Sequence, residues 1–185
     1  KSLLRSCLAI VAMSTMMFFA KAQELAPLRI NNADFELGQV GARPDNWNWW
    51  HRENVGSATL VEDAHSGRFA VRIVAAGEKD WAFSGGPRND VVPGTDYAIK
   101  VWYKGEKPGN MSVQAVGHKD GQFVTWSVGE TRGARPRTDW GEATGYFTVP
   151  EGINQIIMRV VGGGDTDVII DDIRVVPEKA PVIPP

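Results

Sequence analysis

Apolar and polar residues alternate with a period of two along most of the chain, a pattern that predicts strands. The clearest case is Tyr97-Ala98-Ile99-Lys100-Val101-Trp102-Tyr103-Lys104. Tyr97, Ile99, Val101 and Tyr103 share the face expected in a core, and Ala98, Lys100, Trp102 and Lys104 share the outward one. Similar alternation marks Ser57 to Glu62, Arg68 to Val74, Met111 to Gly117, Gln122 to Val128, Trp140 to Val149, Asn154 to Val161 and Asp167 to Val176. Ser112, Gln114, Val116 and His118 oppose Met111, Val113 and Ala115, while Gln155, Ile157 and Arg159 oppose Ile156, Met158 and Val160. Trp47 and Trp49 fall on one face of their segment and Trp50 on the other, with Trp47 expected as a core plug. Turn signals separate these runs, and Asp120-Gly121 predicts a hairpin. About eight to ten short strands, with no helical period after the first residues, predict an all-β sandwich and a jelly roll in particular.

The chain ends read differently. Lys1 and Arg5 precede an apolar run from Cys7 to Ala20, and Ala20-Lys21-Ala22 fits a small-x-small cleavage site, so residues 1–22 are expected to be an export signal. The apolar run is short of the ~20 residues of a spanning helix, and no second one follows. A secreted or periplasmic protein without a membrane span in its mature chain is expected, with one domain over 23–176 and a proline-rich tail or linker over 177–185. Cys7 is the one cysteine in the sequence, so the exported domain would carry no disulfide. The formal net charge of −2 becomes more negative once Lys1, Arg5 and Lys21 are removed, which argues against a nucleic-acid partner.

Asn31 to Gly38 places Asp34 and Glu36 on one side of an expected extended segment and Phe35 on the other. Such a carboxylate pair suits a catalyst, a hard metal ion or a solvated strand edge, and Asp171-Asp172 is the candidate to meet it.

Several patterns, in order, resemble the carbohydrate-binding modules of families 4, 9 and 22, which are jelly-roll sandwiches of the galactose-binding-like type. They are Asn32-Ala33-Asp34-Phe35-Glu36-Leu37-Gly38, Pro44-Asp45-Asn46-Trp47, Ala64-His65-Ser66-Gly67-Arg68-Phe69-Ala70, Val92-Pro93-Gly94-Thr95-Asp96-Tyr97, Trp140 with Phe147-Thr148-Val149-Pro150, and Ile170-Asp171-Asp172-Ile173. The resemblance implies a non-catalytic, monomeric module that binds polysaccharide, working alone or as an accessory of a glycoside hydrolase. It also implies a structural calcium held by Glu36, with Asp34 beside it, a carbonyl near Ser66, and Asp171 or Asp172, consistent with the oxygen ligands calcium takes.

A sugar surface needs flat aromatic faces with amides and charges for hydroxyls. Trp102 is the leading candidate, followed by Gln114, His118, Trp126, Trp50 and Arg159 on outward positions of strands expected to be adjacent. The alternative is a structural or adhesion domain of a cell-surface assembly that binds no sugar. Motifs for catalysis are lacking: the sequence has no Gly-x-Ser-x-Gly elbow, phosphate loop or His-Glu-x-x-His, and His51, His65 and His118 show no metal-ligand spacing.

Overall fold

The computed structural model describes residues 25–52 and 56–182, so the expected export signal lies outside the described residues. The strands are β1 (Trp47–His51), β2 (Gly56–Val61), β3 (Ala70–Ala75), β4 (Trp81–Gly85), β5 (Asn89–Asp90), β6 (Asp96–Lys107), β7 (Ser112–Lys119), β8 (Gln122–Glu130), β9 (Arg137–Thr148), β10 (Gln155–Gly162) and β11 (Thr166–Pro177). No helix occurs among the described residues, and none is therefore long and apolar enough to cross a membrane. Two antiparallel sheets form the sandwich. One has the order β1-β4-β10-β7-β8, with the short β5 also on β10, and the other β2-β3-β11-β6-β9. The chain passes repeatedly from sheet to sheet, as a jelly roll requires. The Leu25 to Arg29 lead-in contributes a single bridge, Leu28 to Val175, rather than a full strand.

The alternation read from the sequence sorts inside from outside. Tyr97, Ile99, Val101 and Tyr103 of β6 are buried, as are Ile156, Met158 and Val160 of β10 and Val71 and Ile73 of β3. Trp47 is the expected plug, 1% exposed. Its ring stacks on Phe83 at 4.8 Å and meets the edge of Phe35 at 5.2 Å, and its Nε1 donates to the Asn32 carbonyl at 2.9 Å. Gly85 lies so close that a Cβ there would sit 2.7 Å from the indole. A side chain at this position would displace the plug.

The Asn31 to Gly38 stretch corrects the extended reading. Asn31 to Asp34 form a turn, with left-handed backbone at Asn32 (φ 47°) and Phe35 (φ 55°). Asn32 directs this geometry. Its Nδ2 donates to the carbonyls of Leu37 (3.0 Å) and Asp45 (2.8 Å), and its Oδ1 accepts the Leu37 amide at 2.9 Å. An Asn tolerates that conformation and satisfies the buried loop backbone locally. Phe35 enters the core, whereas Asp34 is exposed. The two acids therefore do not share a strand face.

Candidate functional site

The outer face of the six-stranded sheet forms a groove of about 970 Å³. Its floor is made by outward positions of adjacent strands: Ala82 and Ser84 of β4, Ile157, Arg159 and Val161 of β10, and Ser112, Gln114, Val116 and His118 of β7. Trp50 on β1 and Trp126 on β8 stand at opposite edges, 51% and 63% exposed. The sheet order separates them by four strand spacings, roughly 19 Å at ~4.8 Å per step. Large aromatics so exposed are unusual on a surface without a partner.

A linked set of side chains shapes the Trp126 end. The Arg159 guanidinium lies over the Trp126 ring, with Cζ 4.6 Å from the centroid. Its Nε and Nη2 donate to Gln114 Oε1 at 3.1 and 2.7 Å, and Gln114 Nε2 donates to Glu130 Oε2 at 2.6 Å. Phe123 packs against Trp126 at 4.6 Å, and His118 sits edge-on to Phe123 at 6.1 Å. Burial lowers the Arg159 pKa from the ordinary arginine value, and the Glu130 charge opposes that shift. At the other end Arg52 lies over Trp50 at 5.7 Å and forks onto Asp80 at 2.5 and 3.0 Å.

Five of the sugar-contact candidates, Trp50, Gln114, His118, Trp126 and Arg159, thus line one groove. Trp102 does not join them. It lies on β6 in the other sheet, stacked on His65 at 3.9 Å with an 11° interplanar angle. Alternation correctly turned Trp102 outward, but outward on that sheet means the opposite side of the sandwich. Phe123 and Ile157 are groove residues that the candidate set lacked. The hairpin signal at Asp120-Gly121 carried the clue to Phe123, because that turn pairs His118 with Phe123.

Four of the expected metal residues, Glu36, Ser66, Asp171 and Asp172, gather at a second cluster on the 65–69 turn, whereas Asp34 is exposed and makes no hydrogen bond to that turn. Asp171 is fully buried, and its Oδ2 accepts the amides of His65 (2.9 Å) and Ser66 (3.1 Å), while Oδ1 accepts that of Asp172 at 2.8 Å. Asp172 lies 2.8 Å from His65 Nδ1 through Oδ2 and accepts the Ser66 hydroxyl at Oδ1, 3.1 Å away. Alternation should send these neighbouring acids to opposite faces. A register shift and the left-handed φ of 50° at Asp172 bring both carboxylates to one turn. Glu36 Oε1 accepts the amides of Arg68 (2.8 Å) and Phe69 (3.0 Å). Gly67 is required here: its φ is +63°, and a Cβ would approach Glu36 Oε1 to 2.3 Å.

Among the described residues, His65, Asp171 and Asp172 place one possible ligand atom each within 4.8 Å of one another, a group that includes neither Glu36 nor Asp34. Burial pushes the Asp171 carboxyl up to about 6, aided by the Asp172 charge and opposed by the backbone amides. The carboxylate oxygens suit a hard cation, whereas the imidazole nitrogen does not.

The family pattern described as "Carbohydrate binding domain", of CBM types 4 and 9, matches residues 29–167. No curated protein matches the chain. Among solved structures, the enzymatically active domain of tailspike protein 4 from bacteriophage CBA120 is similar with a TM-score of 0.62 at 12% identity, over 80% of this chain and 21% of that one. The chain thus spans about a fifth of that protein. A structure titled for CBM4 structure and function has a TM-score of 0.55 at 19% identity, over 81% of this chain and 100% of that one. The CBM22-1 xylan-binding domain of Paenibacillus barcinonensis Xyn10C has a TM-score of 0.52 at 14% identity, over 80% and 94%. At these identities the structural likeness shows the fold, and the sequence match carries the membership. The chain belongs to the carbohydrate binding domain family of CBM types 4 and 9.

Proposed function

We propose that this chain is an exported, non-catalytic module that binds a β-linked polysaccharide in the groove between Trp50 and Trp126. The exposure of those two tryptophans at the edges of a floor that mixes apolar residues with Ser84, Ser112, Gln114 and Arg159 carries the reading. Apolar sugar faces rest on aromatic rings while amides and guanidinium groups meet hydroxyls. The carboxylates at the groove margins are engaged, Asp80 by Arg52 and Glu130 by Gln114, which favours binding over acid-base catalysis. The xylan-binding relative has the same fold, and β-linked plant glycans are the ligand class to try first. Calorimetry of the folded protein against a panel of neutral and acidic glycans tests the proposal. Micromolar to millimolar binding to one glycan class is expected, and silence across the panel would overturn it.

Calcium at the turn cluster is a companion proposal. The buried Asp171 beside Asp172 is short of positive charge, and a cation held by these carboxylates, with Glu36 nearby, would relieve their repulsion and tie the first turn of the domain to β11. Its role would be structural, distant from the groove on the other side of the sandwich.

A further inference from the structure

The two arginines of the groove differ in what they face. Arg52 is exposed and forks onto the Asp80 carboxylate. Arg159, on the central strand β10, is half-buried and donates both Nε and Nη2 to one neutral oxygen, Gln114 Oε1. The carboxylate of Glu130 is bonded to the amide of Gln114, so its charge reaches Arg159 across an intervening side chain.

A guanidinium carries five N–H donors in a rigid plane. Gln114 occupies the Nε and Nη2 edge, and Trp126 covers one face. The other edge, formed by Nη1 and the second Nη2 hydrogen, meets no acceptor among the described residues. A free planar edge of this kind matches the two oxygens of a carboxylate. Burial without a directly paired carboxylate also leaves part of the desolvation cost of the cation uncompensated, and an anionic ligand would offset it.

We propose that Arg159 recognises a carboxylate and that the groove selects glycans bearing uronate groups. The proposal rests on the reading of the groove as the glycan site. The net charge of the whole chain is −2, so long-range attraction of a polyanion is not what would drive the preference. The selectivity would be local, set by one fork held in place by Gln114 and Trp126.

Calorimetry on the folded full chain tests it with glucuronoxylan, polymannuronate and polygalacturonate, each beside its own carboxyl-reduced form, and with neutral xylan and β-glucan. In at least one pair the native glycan is expected to bind about tenfold more tightly than the reduced one, an advantage that shrinks as salt rises. Arg159→Gln should bring that ratio close to one, and Arg159→Lys should restore only part of it, because lysine keeps the charge without the fork. The wild-type comparison needs no variant, so a folding defect in either substitution leaves the test intact. Equal or weaker binding of every native member, with neutral glycans still bound, would overturn the uronate proposal alone. No binding to any member would overturn the groove reading with it.

Discussion

The two outer faces of this sandwich treat their side chains in opposite ways. On the five-stranded sheet, charges are matched in pairs: Arg72 with Asp167 at 2.7 Å, Lys104 with Asp63 at 2.5 Å, Lys100 with Glu178 at 2.6 Å and Arg174 with Glu142 at 2.8 Å. Of its two tryptophans, Trp102 is half-covered by His65, which in turn is held by Asp172, and Trp140 meets the same imidazole edge-on at 5.7 Å. On the six-stranded sheet Trp50 and Trp126 stay open, and Arg159 faces an amide instead of an acid. One face has completed its own interactions, while the other leaves aromatic surface and donors for something else to complete.

The sharpest way to break this contrast is to remove its open aromatics. Trp126→Ala should weaken glycan binding by about 2 kcal/mol, roughly thirtyfold, as loss of an aromatic anchor does, with little change in melting temperature. Trp102→Ala should do the reverse, lowering stability by about 1–2 kcal/mol through the lost stack on His65 while leaving binding unchanged. Calorimetry and thermal melts on the same two proteins separate the faces, and equal binding losses from both would erase the distinction.

Two smaller effects belong to the turn cluster. Chelation should lower the melting temperature by a few degrees, on the scale of about 2–4 °C per kcal/mol for a chain this size, without abolishing glycan binding at lower temperature. A melting curve indifferent to chelator and to added calcium would remove the ion from the account. The pH response has a definite sign in metal-free protein. Because the folded Asp171 carboxyl sits at about 6 against an ordinary 3.8, the folded state holds its proton more firmly than the unfolded chain does between those values. Stability contributed by this group therefore falls as pH rises through that window. The melting-temperature difference between wild type and Asp171→Asn should move against wild type from about pH 4 to about pH 6. Smallest of all, Asp167→Asn should cost no more than about 1 kcal/mol, since its pair with Arg72 is exposed to solvent, and should not touch binding.

Much of this was legible in the sequence because a strand repeats every two residues. That period correctly turned Gln114 and Arg159 outward and Met158 and Val160 inward, whereas His118, on the groove side of β7, is buried at 6% exposure. It carries no information on which sheet a strand joins, and so Trp102 was grouped with residues on the far side of the molecule. Periodicity also fails where the backbone leaves the extended region. Left-handed residues at Asn32, Phe35 and Asp172 rearranged the acids at both ends of the domain, separating Asp34 from Glu36 and bringing Asp171 and Asp172 together. His65 reads in the sequence as a histidine without metal-ligand spacing because its partners, Trp102, Asp171 and Asp172, are distant in sequence and meet it only through the fold.

The way the ends of the domain meet has a mechanical consequence. Leu28 and Val175 pair antiparallel, with the Leu28 amide donating to the Val175 carbonyl at 2.9 Å, and the Ile173 amide donates to Ala33 at 2.9 Å a little further in. Tension applied through the flanking chain would load these bonds one after another, as a zipper opens, and not all at once. Behind them stand the carboxylates of Glu36 and Asp171, which grip the 65–69 turn. The cluster would then act as the stop of the zipper, keeping a pull on the module from reaching the strands that form the groove.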